Sequence, residues 1–258
     1  FPPRSDTAKK SLKETHLKLS SINPEHYSVT FGALGTSQDA TFDTIVNLSK
    51  DTEIPITPHL TCVDTNKKQV TELIDKYISH GVNQVMVLKG DTPSKPLHKG
   101  DFEYANEMVK FIKEHYDNID ILVAAYPEKH PHSMNIRTDI DFFVDKVNSG
   151  ATQAITQYFY NIDAYFHYID ELQKRNIDIP ITPGIMPITN YEQLINFSET
   201  CGAEIPAWIL NRLKLYRHDP ESLKEFGQEV VSEMCLNLTE NGVNSFHFYS
   251  RNKAEPGD

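Results

Sequence analysis

Two hydrophobic rhythms divide this chain. Short, nearly continuous apolar runs bounded by Gly, Pro and Asp read as buried strands. Longer stretches with an apolar residue every three or four positions read as helices. The clearest run is 84–91, QVMVLKGD, with Gly81 before it and Gly90, Asp91 and Pro93 at its end. Runs of the same kind stand at 27–31 (YSVTF), 55–61 (PITPHLT), 121–126 (ILVAAY), 153–160 (QAITQYFY), 179–186 (IPITPGIM) and 245–249 (SFHFY). In 55–61 the prolines are placed at the start and at a kink, since proline lacks the N–H that a ladder needs. Helical periodicity covers 6–20, 41–50, 66–80, 102–115, stretches running up to Val147 and Arg175, then 191–198, 206–216 and a stretch up to Glu240. The 66–80 helix is the best defined, with Val70, Leu73, Ile74, Tyr77 and Ile78 on one face. Gly81 stops it, and Gly150 stops the helix that reaches Val147.

About seven strands alternate with helices at a spacing of roughly 30 residues, as expected when a (β/α)8 TIM barrel of about 250 residues is divided by eight. An open doubly wound sheet is the alternative, but its usual G-x-G-x-x-G first turn is missing. The expectation is therefore a single barrel domain over 1–258, with the first strand largely ahead of Phe1.

Composition narrows the class. The 258 residues are 39% hydrophobic and 24% charged, which suits a soluble globule. No apolar run reaches the roughly 20 residues of a membrane helix. A net charge of −11 lacks the basic footprint of nucleic-acid binding. Three widely spaced cysteines, Cys62, Cys201 and Cys235, suit a reducing compartment, and a cytoplasmic location is expected. His59 and Cys62 alone make a weak zinc signal, and no metal site is expected.

In a barrel, the chemistry stands at the carboxyl ends of the strands. Those ends carry Thr30, His59, Asp91, Tyr126 with Glu128, Gln157, Gly184, and His247 with Tyr249. Each has a bland reading: Asp91 as a turn or helix cap, His59 as a core imidazole, Gln157 as a polar layer residue. Gathered on one rim they argue for a site. No Ser-His-Asp set stands out. Lys89 is a candidate Schiff-base lysine, provided it is desolvated. A polar, aromatic rim without a strong nucleophile suggests that a cofactor brings the chemistry.

At this point the motifs FPPR, SVTFGALGTSQD, PHLTC, VLKGD, AAYPEKHP, AITQYFY, PGIMPIT, IPAW and FHFYSRN, in this order, resemble those of the methylenetetrahydrofolate reductases, in their short bacterial form. The resemblance runs from Phe1 to about residue 255 and implies a flavoprotein barrel of one-carbon metabolism and methionine biosynthesis. Its FAD takes a hydride from NADH or NADPH and passes it, in ping-pong fashion, to 5,10-methylenetetrahydrofolate. It implies that Thr30, His59, Lys89, Gly90, Asp91, Tyr104, Ala105, Tyr126, His130, Asp139 and Lys146 bind the flavin. Asp91, Gln157, Gln193, Phe197 and Lys253 would bind the folate, and Asp91 would also be catalytic. The family's general-acid Glu would lie just upstream of Phe1, outside this chain. Lys89 and Lys253 stand where the family usually has Arg, which trades a bidentate fork for a point charge. A homo-oligomer is expected, with the folate as small-molecule partner. Two other readings remain: a flavin- or folate-binding barrel without turnover, and a Schiff-base lyase using Lys89.

Overall fold

In a computed structural model of the chain, residues 2–3, 5–30, 38–90 and 100–254 are described. The turn 32–35, Asp91 and the loop with Pro93 and Pro96 lie outside the described residues. In chain order the elements are α1 (Asp6–Ser20), β1 (Tyr27–Val29), α2 (Gln38–Ser49), β2 (Ile56–Thr61), α3 (Lys67–Ile78), β3 (Gln84–Leu88), α4 (Ala105–His115), β4 (Asp120–Ala125), α5 (Ile136–Asn148), β5 (Gln153–Thr156), α6 (Ile162–Gln173), β6 (Ile181–Thr182), β7 (Gly184–Ile185), α7 (Tyr191–Cys201), α8 (Ala207–Tyr216), α9 (Pro220–Glu240) and β8 (His247–Phe248). They fall into two compact units, Phe1–Ala124 with Asp145–Gln153, and Ala125–Val144 with Ala154–Asp258.

In the first unit every strand pairing is parallel and follows chain order. β1 lies beside β2 (Val29↔Pro58), β2 beside β3 (His59↔Met86) and β3 beside β4 (Val85↔Ile121). The β2–β3 register begins at His59, one residue past Pro58, which has no N–H to give. Val85, Met86 and Val87 in β3 and Ile121, Leu122 and Val123 in β4 are all buried. Consecutive buried residues, and not alternating ones, mark strands covered on both faces, as parallel sheets require.

α3 shows how the pattern works. Asn66 and Gln69 form a reciprocal capping box at its start. Val70, Leu73, Ile74 and Tyr77 are buried, and each such side chain contributes about 1.5–3 kcal/mol by leaving water. Ile78, expected on this face, is instead 45% exposed, because it belongs to the last turn at the edge of the stripe. The helix ends as Gly81 takes φ +79, with its N–H bonded to Ile78 O and the Val82 N–H to Tyr77 O. Gly150, at φ +118, ends α5 by the same device, with Ala151 N–H on Lys146 O.

In the second unit β5 pairs in parallel with β6 (Ile155↔Thr182), and β7 with β8 (Ile185↔Phe248). The single run expected at 179–186 is split in two at Pro183. The run 153–160 is strand only to Thr156, because the Tyr158 N–H is taken by the side-chain oxygen of Gln157 (3.0 Å). Tyr158, Phe159 and Tyr160 leave the ladder but remain buried, packed with Tyr165, Ile185, Leu213, Phe226 and Leu238. Parallel strands returned by helices place the chain in the α/β class to which (β/α)8 barrels belong.

Candidate functional site

Each unit carries its own strand ends. In the first unit, Thr30 follows β1 directly. Its carbonyl accepts from Thr41 Oγ1 (3.4 Å), while its own Oγ1 is buried and meets no hydrogen-bond partner among the described residues. His59 is half-buried within β2. β3 leads into Lys89 and Gly90, and Gly90 is required there twice over: it has φ +83, and a Cβ would stand 2.9 Å from Thr61 Cβ. The result is a turn packed tightly on Thr61 beside an exposed cation. Lys89 Nζ lies 4.7 Å from the centroid of the Tyr104 ring, within cation–π range. Tyr104 caps α4 ahead of Ala105, and the Glu107 carboxylate accepts the Tyr104 N–H (3.3 Å). A hydrogen bond to the Glu103 carboxylate, reinforced by its charge, raises the phenol's pKa and keeps it protonated. At the end of α5, Lys146 Nζ donates to Ala124 O.

A buried hydroxyl, an aromatic ring and an exposed cation are groups that fit a dinucleotide. They do not fit a Schiff-base lysine, which needs a desolvated amine; Lys89 is exposed. Cys62 is no better a nucleophile, because burial pushes its thiol up to about 12. Among the described residues no group of three or more His, Cys, Asp or Glu could hold a metal ion, and no helix is long and apolar enough to cross a membrane.

In the second unit, β4 runs out at Ala125 into the loop 126–133. The Tyr126 and His130 rings meet edge to face at 4.7 Å. The buried Asp139 carboxylate, in the first turn of α5, accepts from the His130 N–H (3.3 Å) and from Ser133 Oγ (2.6 Å). Asp139 thus ties this loop to the start of the helix, where negative charge is favoured. Glu128 is the unusual acid of the loop. One oxygen accepts the Glu204 N–H (2.8 Å), the other is buried without a partner among the described residues, and burial raises the pKa of Glu128 to about 7.

Gln157 stands where β5 ends. Its N–H reaches Ala125 O (2.8 Å), and its Oε1 holds the Tyr158 N–H. Gln193 and Phe197 lie one turn apart on the exposed side of α7, while Leu194 and Ser198 face inward. Arg251, which motif reading passed over in favour of Lys253, reaches both. Its Nη1 donates to Gln193 Oε1 (3.1 Å), and its guanidinium carbon sits 4.5 Å from the centroid of Phe197. A second cation two residues before Lys253 was the available signal. Gly184 and Tyr249, candidate rim residues, are structural instead. The Gly184 N–H donates to Thr156 Oγ1 (2.8 Å) and the Tyr249 hydroxyl to Thr156 O (2.8 Å), lashing β7 and the end of β8 to β5.

Parallel strands returned by helices, with polar side chains at the strand ends of each unit, define an α/β protein of the barrel type. Comparison with known proteins is more specific. Residues 1–256 match the family described as methylenetetrahydrofolate reductase. The chain is 38% identical over 256 residues to the 5,10-methylenetetrahydrofolate reductase of Buchnera aphidicola subsp. Schizaphis graminum, covering 99% of this chain and 86% of that one. It is 34% identical to the Escherichia coli K12 enzyme, over 99% of this chain and 85% of the other. It is similar also to methylenetetrahydrofolate reductase 1 of Schizosaccharomyces pombe, at 31% identity, but spans only 43% of that longer protein. The chain belongs to the methylenetetrahydrofolate reductase family. Among solved structures, a Clostridium thermocellum protein described as binding two copies of 5-methyl-5,6,7,8-tetrahydrofolic acid superposes with a TM-score of 0.69 at 16% identity, covering 96% of this chain and 85% of that one. At that identity the likeness concerns the fold.

Proposed function

We propose that this chain reduces 5,10-methylenetetrahydrofolate to 5-methyltetrahydrofolate, with FAD as resident cofactor and NADH or NADPH as reductant, in two separate half-reactions. The observation that carries the reading is the family match over residues 1–256. The folate bound by the Clostridium thermocellum structure supports it on the substrate side. FAD, when bound, supplies a two-electron store between the nicotinamide and the folate.

The residues of the first unit serve the flavin. Thr30 Oγ1 offers a hydroxyl that has no partner among the described residues, Gly90 lets the turn after β3 pack tightly on Thr61, and Lys89 brings positive charge to the pyrophosphate. Asp91, one residue further on, places a carboxylate that disfavours negative charge on the reduced ring and can hydrogen-bond the pterin. In the second unit Gln157, Gln193, Phe197 and Lys253 serve the folate. The amides hydrogen-bond it, the Phe197 face stacks on an aromatic ring, and Lys253 draws its acidic tail. The free thiols Cys62, Cys201 and Cys235 support a reducing, cytoplasmic setting.

The test is one anaerobic titration. Protein reconstituted with FAD should be yellow, bleach with NADH or NADPH, and recover its colour on addition of methylenetetrahydrofolate. A protein that binds no FAD refutes the proposal. One that binds FAD and folate but never bleaches is the binding barrel without turnover.

A further inference from the structure

Gln193 is an exposed amide, and the orientation of an amide normally has to be inferred from its partners. Here the partner decides. Arginine carries five N–H donors and no acceptor, so the Gln193 group facing Arg251 Nη1 at 3.1 Å is the oxygen. The NH2 group is thereby the one that Arg251 does not engage. Gln157 is held in the same sense by a different donor, the backbone N–H of Tyr158 at 3.0 Å, which can bond only to its oxygen. Both amides that the proposed function assigns to the folate therefore have their oxygen held by a protein donor, which leaves the NH2 group for a ligand. The same guanidinium lies over Phe197 at 4.5 Å from the ring centroid, so a single side chain sets the amide on one turn of α7 and covers the aromatic ring on the next.

The placement of Arg251 follows from its backbone. β8 ends at Phe248, and Arg251 and Asn252 both take left-handed conformations, φ +54 and +61. The turn is closed by the Lys253 N–H on Ser250 O (3.0 Å). Two consecutive non-glycine residues in that region carry a conformational cost, and the turn delivers the guanidinium to α7. Hydrogen bonding commits one of the guanidinium's donors, to Gln193; no other acceptor for it occurs among the described residues.

Resting on the folate reading above, we infer that Arg251 is a positioning and specificity residue of this site. It holds the oxygen of Gln193 and, with Lys253, makes the end of β8 cationic. The surface so built brings the Gln193 amide, the Arg251 guanidinium and the Lys253 ammonium to one end of the unit, and its donors favour an aromatic ring bearing carbonyl or carboxylate oxygens, the chemistry of an aroyl amino acid tail.

The experiment measures equilibrium binding of 5-methyltetrahydrofolate at pH 7.5 to the FAD-loaded wild type and to three variants: Arg251→Met, Arg251→Lys and Gln193→Glu. Arg251→Met keeps the stem and removes every donor, freeing the amide; binding should weaken about tenfold, the worth of one hydrogen bond to a charged group. Arg251→Lys retains one donor to Gln193 and should recover part of that loss. Gln193→Glu separates positioning from mere structure. It strengthens the contact with Arg251 by making it an ion pair, yet it replaces the NH2 donor with an acceptor, so binding should fall at least as far as in Arg251→Met while the melting temperature holds. Wild type that binds with Arg251→Met equal to it overturns the inference and leaves the proposed function standing. Gln193→Glu binding as tightly as wild type overturns the donor argument in the same way. Wild type that fails to bind refutes the proposed function itself.

Discussion

Glu128 offers a quantitative test of the fold around the second unit's strand ends. Burial raises its pKa from the usual 4.5 to about 7, opposed in part by the Glu204 N–H that it accepts. A carboxyl whose pKa is higher in the folded than in the unfolded protein binds its proton more tightly when folded. Its contribution is therefore most favourable below pH 4.5, declines as pH rises from there to about 7, and is constant above. The full shift corresponds to a ceiling of about 3 kcal/mol. Glu128 is only half-buried, and solvent screening brings the expected loss to about 1–2 kcal/mol. Glu128→Gln mimics the protonated state at every pH and retains an oxygen for the Glu204 N–H. Urea unfolding of both proteins between pH 4.5 and 8 isolates this group, since all other titrations cancel in the difference. The stability of Glu128→Gln relative to wild type should rise by about 1–2 kcal/mol across that range, most of it before pH 7. Parallel pH profiles would refute the buried-carboxyl argument. A relative rise lying wholly above pH 8 would refute the assigned cause.

Three further outcomes are expected. Gly184→Ala places a Cβ 2.2 Å from Thr156 O and 2.7 Å from the Tyr249 ring; it should cost about 3 kcal/mol or more in urea unfolding, and a loss below about 1 kcal/mol would show that β7 can shift away from β5. Gln157→Ala should weaken 5-methyltetrahydrofolate binding about tenfold, measured as for Arg251; unchanged affinity would remove Gln157 from the site. Asp91→Asn should raise the flavin potential and slow reoxidation by methylenetetrahydrofolate more than reduction by the nicotinamide. Stopped-flow traces with both half-reactions slowed equally would contradict its assignment.

What was legible in the sequence is what depends on neighbours along the chain. The 3.6-residue stripe of Val70, Leu73, Ile74 and Tyr77 and the glycine stop at Gly81 are local physics, and both stand as expected. Strand lengths were overstated wherever a side chain or a proline ended the ladder early. Gln157 intercepting the Tyr158 N–H and Pro183 interrupting 179–186 are the two cases. The motif order pointed to the family because it samples strand ends all along the chain, but it assigned Lys253 and passed over Arg251. The partner of Arg251 lies 58 positions away, and no local pattern announces that contact.

Three glutamates make the distinction physical. Glu171 has Lys174 and Arg175 three and four residues on, within reach on any helix. Its hydrogen bonds to Lys174 and then Arg175 bring its pKa down to about 2, and the spacing alone foretells the direction. Glu192 pairs with Arg217 at 2.7 Å across 25 positions, which requires knowing that α7 and the end of α8 approach each other. Glu128 has a lysine as its immediate successor, and by sequence it should be the more acidic for it. Instead, Lys129 adopts φ +103 and sends its ammonium to Ser133 O (2.8 Å), leaving the carboxyl buried and its pKa raised to about 7. The same letter titrates across about five units in one chain, and only the first of these values could be anticipated without the fold. Site chemistry is the property of a tertiary environment, and its sign is decided by how deeply the fold buries a group and which charges it turns toward it.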